Sequence, residues 1–380
     1  MNKIVQIPEH KASRLEKFGL YYLNLFKRID NDQSVFEFTD AELSNRVKKI
    51  TRKGIVLSSL IGIICVFPIV WVDVYFANSS FLVHYGWVAS VTVITIIIEF
   101  YLLFVIALKA VYEVSDLINM HSTQSELLEE GCFSVKNLLA RAALELPDPE
   151  LKILGIDPFK RISKKNLLII SLLYKAKIIV TNLVLKFGLK FTVGDTVGGV
   201  SILYEALPVE CFWNSVVIKR VVHEARLRMF GFALAHRIAN DALNDKLPEK
   251  LSPLARTGCL RAIGNAVVMT QNYHPNMIIL LLRFQQVLQI TEENKYDDWD
   301  MFLETLKNVN EKERHFLLDI FTISVAFDGK LSRLEQDHLR EAYGDDFDLY
   351  YPRLVKLIEY LQVGKLNAAL DLCRLEMEAG

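Results

Sequence analysis

The sequence predicts an all-α membrane protein: a two-span helical hairpin joined to a helical cytoplasmic region that ends in a helical bundle. Three observations predict it. Two long apolar stretches, Ile55–Val72 and Trp87–Leu108, lie close together in the first third of the chain. Elsewhere apolar residues recur at helical spacing, and no alternating run bounded by turn residues demands a sheet. Of 380 residues 52% are hydrophobic while only 17 are Gly and 10 are Pro, which excludes a disordered or collagen-like chain. The length allows two or three cores.

The elements follow in order. Residues 11–29, KASRLEKFGLYYLNLFKRI, place apolar side chains on one helical face with Ser13 as a cap, so an amphipathic helix is expected within a cytoplasmic N-terminal segment, 1–53. Ile55–Val72 then runs 18 residues without a charge. At 1.5 Å per residue that is roughly 27 Å, close to the hydrocarbon thickness of a bilayer. Pro68 is tolerated in such a span and predicts a kink. Trp87–Leu108 is long enough for a second span and carries one charge, Glu99. The hairpin thus occupies 54–110, with Asp73–Gly86 as a connection free of Lys and Arg.

Two signals orient the hairpin. Arg46, Lys48, Lys49, Arg52 and Lys53 crowd the entrance of the first span and Lys109 follows the second, which puts both termini in the cytoplasm by the positive-inside rule. Trp71, Tyr75, Tyr85 and Trp87 gather at the opposite, outer interface, where amphipathic rings prefer to lie. A secretory signal peptide is excluded, since the first apolar run begins more than fifty residues in and no small-residue cleavage pattern follows. The cell (inner) membrane is the expected location.

A membrane-proximal region, 111–254, comes next. The second span is expected to continue past Lys109 into AVYEVSDLINM, and Gly131, Pro147 and Pro149 break the helical stretch after it. Residues 166–185, NLLIISLLYKAKIIVTNLVL, are ambiguous. Two central lysines cost roughly 2.5–3.5 kcal/mol each on the insertion scale, and the Leu, Ile and Val residues return about as much in total. Residues 160–190 hold eight bases and no acid, which suits a basic helix on an anionic inner leaflet; a buried helix of the cytoplasmic region fits equally, and a third span remains the other placement. TVGDTVGGV, with Gly194, Gly198 and Gly199, lacks the Lys of a phosphate loop. After Pro208, Cys211–Leu243 reads as one long helix with Trp213, Val217, Val221 and Phe230 on its apolar side. A further helical pair, Leu260–Gln271 and Asn276–Ile290, flanks a turn at Pro275.

The net charge of −1 conceals a division. Residues 291–380 carry 20 acids against 11 bases, and the remainder of the chain 25 acids against 33 bases. The basic part borders the membrane; the last domain, 255–380, is acidic. Because the densest bases flank the membrane, no nucleic-acid partner is expected. Five scattered cysteines without C-x-x-C spacing suit a reducing compartment rather than a disulfide framework.

Chemistry is sparse. Glu99 lies about 15 Å deep by helical rise from Lys109. A carboxylate at that depth must be protonated, paired or facing a wet interior. Tyr85, Thr92, Thr95 and Glu99 form a polar stripe, and the first span offers it only Ser58, Ser59, Gly62 and Cys65. The stripe is therefore expected to meet a second copy of the chain, giving a homo-oligomer glued by a protonated carboxyl, or alternatively a channel or transporter subunit that relays protons or ions through Glu99. Asp345, Asp346 and Asp348 lack EF-hand spacing and read as a solvated helix cap. His223-Glu224 has no second His four residues on, and G-x-S-x-G is absent. No enzyme and no required cofactor are expected.

The most distinctive stretch is HFLLDIFTISVAFDGKLSRLEQDHL, His315–Leu339: an apolar helix stops at Asp328-Gly329, and Ser332 to Glu335 restarts helix as a capping box. Ala326, Asp328, Gly329, Leu331 and Glu335 resemble the signature of TerB-like domains, which are named for tellurite resistance and also occur in a membrane-anchored co-chaperone of the DnaJ class. The resemblance covers about 255–380, with specific identity across 326–339. It implies an acidic, all-helical cytoplasmic module linked to envelope stress, with an unidentified protein partner and Asp328 and Glu335 as ligands of a divalent cation. Two departures stand against it: a second acidic motif is missing, and His274-Pro275-Asn276 lacks the acid of the DnaJ triplet. The residues alone allow a simpler role, Asp328-Gly329 ending one helix and Glu335 capping the next.

Overall fold

A computed structural model describes residues 13–29, 38–118, 135–144, 156, 201–244, 246–270, 274–290, 295–331, 333–373 and 375. All secondary structure among them is helical. The 166–185 stretch, Gly131, Pro147, Pro149, the Gly194–Gly199 cluster and Ser332 lie outside the described residues.

Helix α1 spans Arg14–Ile29 and begins as the sequence predicts. Ser13 Oγ accepts from the Glu16 amide at 3.2 Å, and the Ser13 amide donates to Glu16 Oε2 at 2.6 Å, a reciprocal cap that satisfies two orphan groups. Gly19 brings α1 close to α4, Val135–Ala143: a Cβ there would stand 2.8 Å from Ala140 Cβ. At this seam Arg141 and Glu16 pair at 2.6 Å, both nearly inaccessible to water.

Two 36-residue helices dominate the upper part, α2, Asp40–Tyr75, and α3, Phe81–Asp116. At 1.5 Å per residue each is roughly 54 Å long. Both are long and apolar enough to cross a membrane. Thr39 and Glu42 cap α2 reciprocally, well before its apolar stretch begins at Ile55, so the span is the upper half of a longer helix. It continues through Pro68, and α3 continues past Lys109 as expected. The connection is shorter than the sequence suggests: only Phe76–Ser80 separates the helices, because both run on beyond their purely apolar stretches.

Each helix changes character along its length. Leu43 and Val47 at the base of α2, and Leu108, Val111, Tyr112 and Val114 at the base of α3, are buried in the body. Toward the tip Leu60, Ile64, Phe67, Ile94 and Ile97 are exposed. Trp71, Tyr75, Tyr85 and Trp87 are exposed together at the tip, where Trp71 stacks on Tyr75 and Phe76 on Trp87. Lys53 and Glu113 pair at 3.1 Å at the base.

The third long helix, α5, spans Ser201–Asn244, 44 residues. It starts ten residues earlier than the sequence suggests, because Pro208, read there as a boundary, lies inside it. It packs against both α2 and α3. Gly54 of α2 makes room for it, since a Cβ there would meet Ile218 Cγ2 at 2.8 Å.

The remaining helices form the body. After the single turn α6, Leu247–Lys250, come α7, Pro253–Thr270, and α8, Pro275–Val287. Helix α7 is buried on all sides from Gly258 to Met269 and serves as the central post. Gly264 is required there, for a Cβ would come within 2.5 Å of the Tyr296 carbonyl. Around it stand α9, Trp299–Asn308, α10, Glu311–Ala326, and α11, Arg333–Tyr343. A 3-10 turn, Gly344–Asp346, leads into α12, Phe347–Val363, which Gly364 ends in the left-handed region at φ 87°. Helix α13 is Leu366–Leu372. Buried side chains form one connected cluster from Leu23 in α1 to Cys373 after α13. The acidic C-terminal helices therefore share a core with the base of the hairpin.

Candidate functional site

Two polar constellations stand out, one where α2, α3 and α5 meet and one in the body. The first is built around Glu99, which is 4% exposed. Asn214 of α5 donates through Nδ2 to Glu99 Oε1 at 2.9 Å and to the Ser58 carbonyl at 3.3 Å. One amide thus ties α2, α3 and α5 at a single point. Beside it the Ser59 and Ser215 hydroxyls meet at 3.1 Å, and Cys211 Sγ approaches the Ser59 carbonyl at 3.7 Å. The small residues Gly54, Ser58 and Gly62 recur every fourth position on α2 and are buried, the arrangement that lets helices pack closely in apolar surroundings.

Glu99 thus has a hydrogen-bond partner within the chain, on α5. The polar stripe itself is not continuous. Thr95 is buried, yet its hydroxyl donates to the Val91 and Thr92 carbonyls of its own helix. Thr92 donates to the Val88 carbonyl at 2.7 Å, and Tyr85 is exposed at the tip. A repeat of seven residues falls 20° short of two helical turns, so the row drifts off the packed face as it climbs. Chemically the Asn214 contact is a helix tie, since an amide neither takes up nor releases a proton in the physiological range. Sequence reasoning missed Asn214. The available signal was a lone amide in an apolar run, CFWNSVVI.

The second constellation gathers where α5 meets the turn after α10. Arg228 Nε donates to Glu224 Oε1 at 2.8 Å along α5. His274 caps α8, its Nδ1 accepting from the Asn276 amide at 3.4 Å. Burial first, then the neighbouring Arg228, pushes His274 down to about 3, so it is neutral at physiological pH. Glu224 resists the upward push of burial, because Arg228, through its charge and its hydrogen bond, and Lys330 hold it below its ordinary value. Asp328 Oδ1 accepts from the Lys330 amide at 2.9 Å. Burial, together with the Glu335 and Glu224 carboxylates, nevertheless pushes Asp328 up to about 7.

The Asp-Gly turn is fastened to α5. Gly329 adopts φ +69° against Leu227, its carbonyl accepts from Gln362 Nε2 at 2.6 Å, and Arg226 of α5 donates to the Gln362 carbonyl. Asn276 bridges the Leu227 and Phe327 carbonyls at 3.2 and 3.3 Å and rests on Gly231. The sequence reading of Asp328-Gly329 as a helix stop agrees with this geometry: α10 ends at Ala326 just before it, and Glu335 lies buried in the first turn of α11. Lys330 lies beside Asp328, and its charge opposes a cation there. No group of three or more His, Cys, Asp or Glu side chains suited to a metal occurs among the described residues. The acidic run before α12 is likewise tied by charge, Asp346 to Arg314 at 2.6 Å.

A third contact joins the start of α2 to α13. Asp40, the first residue of α2, accepts from the Asn367 and Ala368 amides of α13 at 2.8 and 3.0 Å, and Asn367 Nδ2 donates to the Phe38 carbonyl. No protein-family model matches the sequence, and comparison with curated proteins and with solved structures finds no relative.

Proposed function

We propose that the protein is a multi-pass membrane protein, with both termini cytoplasmic, whose helical body works as a membrane-attached scaffold or sensor. One observation carries the reading: α2 and α3 are each buried in the body at the base and covered with exposed Leu, Ile, Val and Phe above it. Only 28% and 33% of their apolar windows are buried, which supports a lipid setting over a place in the core of a water-soluble fold. Soluble monomers rarely expose apolar surface on that scale. The basic entrance at Arg46–Lys53 and the exposed aromatics at the tip support the cytoplasmic placement of the base. Helix α1, which exposes Leu15, Tyr21 and Leu25, suits a place along the inner interface.

The sensing part of the proposal rests on continuity. A tilt of the hairpin has to displace α13 through Asp40 and the Asp328-Gly329 turn through α5. The acidic C-terminal helices are then the surface on which a cytoplasmic protein reads that displacement, in keeping with the envelope-stress role that the TerB-like resemblance implies. The amide facing Glu99 favours this reading over ion or proton relay. Extraction of isolated membranes with alkaline carbonate tests it: the protein should stay in the pellet and leave it only with detergent. Release by carbonate overturns the membrane assignment. Proteolysis of sealed inverted vesicles should remove tags from both termini; protection of either overturns the orientation.

A further inference from the structure

We infer that the first five turns of α5, Ser201–Ile218, lie inside the bilayer as a further crossing beside the hairpin. The inference rests on the membrane reading of the hairpin and goes beyond it.

The register of α5 against α2 fixes its direction. Cys211 reaches the Ser59 carbonyl, Asn214 the Ser58 carbonyl, and Ile218 the Gly54 position. As α5 advances, α2 is met ever closer to its base, so the two are antiparallel and α5 descends toward the cytoplasm. Gly54 and Ser58 stand at the start of the first span, above the basic flank. Ile218 is therefore at the inner interface, and Lys219 and Arg220, both exposed, follow it at once as the inner positive flank. Ser201 lies thirteen residues upstream of Asn214, roughly 20 Å higher, at about the depth of Trp71 near the tip.

Exposure agrees with the depth. Phe212 is 67% exposed and Val216 37%, at the level where Leu57, Leu60 and Ile64 of α2 turn outward. The apolar surface of the hairpin thus continues onto α5, and lipid acyl chains are its occupant. The composition explains why the sequence hides this span. Ser201–Ile218 contains Glu205, Glu210, Asn214 and Pro208, and no isolated helix of that composition inserts readily. Its place is made by the hairpin, whose small-residue face and Glu99 receive it.

Site-directed spin labels in liposomes test the inference, at Phe212→Cys and Val216→Cys with Ile64→Cys as the hairpin reference. All three should be accessible to oxygen and shielded from a water-soluble nickel complex. If 212 and 216 meet the nickel complex while 64 does not, α5 is outside the bilayer and the hairpin reading survives. If all three meet it, the hairpin reading fails as well. A membrane-impermeant maleimide should label Ser201→Cys from the outer face only; labelling from the inner face overturns the crossing. Should the labels disturb folding, the Trp71→Phe/Trp87→Phe protein leaves Trp213 and Trp299 as emitters, and brominated acyl chains should quench the Trp213 share. Unchanged emission overturns the inference.

Discussion

Helix α5 meets two environments with two kinds of polar chemistry. Near its start it presents an uncharged amide, Asn214, to Glu99 and to a backbone carbonyl. Ten to fourteen residues further on, inside the body, it presents the ion pair Glu224–Arg228. The same division holds across the molecule. Between the Lys53–Glu113 pair at the base and the Asp73–His84 contact at the tip, the upper helices use hydroxyls bonded to their own backbone and small residues that bring backbones together, whereas the body uses charge pairs such as Arg141–Glu16 and Arg353–Asp319. An ion pair needs water or a dense set of dipoles close by to offset desolvation, and the body can supply both. In hydrocarbon neither is at hand, so a hydrogen bond from a neutral group is the cheaper device.

The comparison can be broken most forcefully at Arg141. Arg141→Met leaves the Glu16 carboxylate buried without its counter-charge and should cost about 3–5 kcal/mol of stability in denaturant titrations of detergent-solubilised protein. Glu16→Leu combined with Arg141→Met should recover most of it. A loss below about 1 kcal/mol for the single change would show that charge pairing does not organise the body.

Asp328 gives the next effect and a pH signature. Its folded value, about 7, lies above its ordinary value of 3.8. The folded state therefore holds the proton more tightly than the unfolded state. Its contribution is fully present below about 4 and is lost as pH rises through about 7, each unit of displacement being worth about 1.4 kcal/mol. Asp328→Asn keeps an acceptor for the Lys330 amide but cannot titrate. Melting temperatures between pH 4 and 7.5 should fall less steeply with pH in the variant, and an unchanged slope would remove Asp328 from the account.

At the upper site the effects should be smaller. Asn214→Leu removes the tie and should cost about 0.6–1.7 kcal/mol, the range for hydrogen bonds between membrane helices. Glu99→Gln retains an oxygen for Asn214, so unfolding in mixed micelles should shift by less than about 0.5 kcal/mol. Proteoliposomes of the two proteins should also leak protons equally. A Glu99-dependent flux would return the carboxyl to the role of a relay and end the contrast with the body.

Several of these features were legible in the sequence because they are local. Ser13 and Glu16 stand at capping spacing, the Asp328-Gly329 turn announces a helix end, and the hairpin follows from hydropathy and length. The partner of Glu99 was not legible. It lies 115 residues away, and nothing local marks which of the polar residues in a 44-residue helix faces inward. Pro208 misled for a related reason: its local preference is to end a helix, and packing against two other helices overrides it. Arg141 and Asp40 were invisible because a single charged residue on a helix carries no sign of burial or of a distant amide.

Asp40 has a consequence for the order of assembly. The amides it receives are 327 and 328 residues downstream. At about 5–20 residues per second, the hairpin waits on the order of 15–65 s after Asp40 is made before its clamp exists. During that interval the foot of the first span is open and available to whatever escorts the nascent chain. Completion of α13 then closes the ring, so synthesis as far as Ala368 is recorded in the geometry at the foot of the first span.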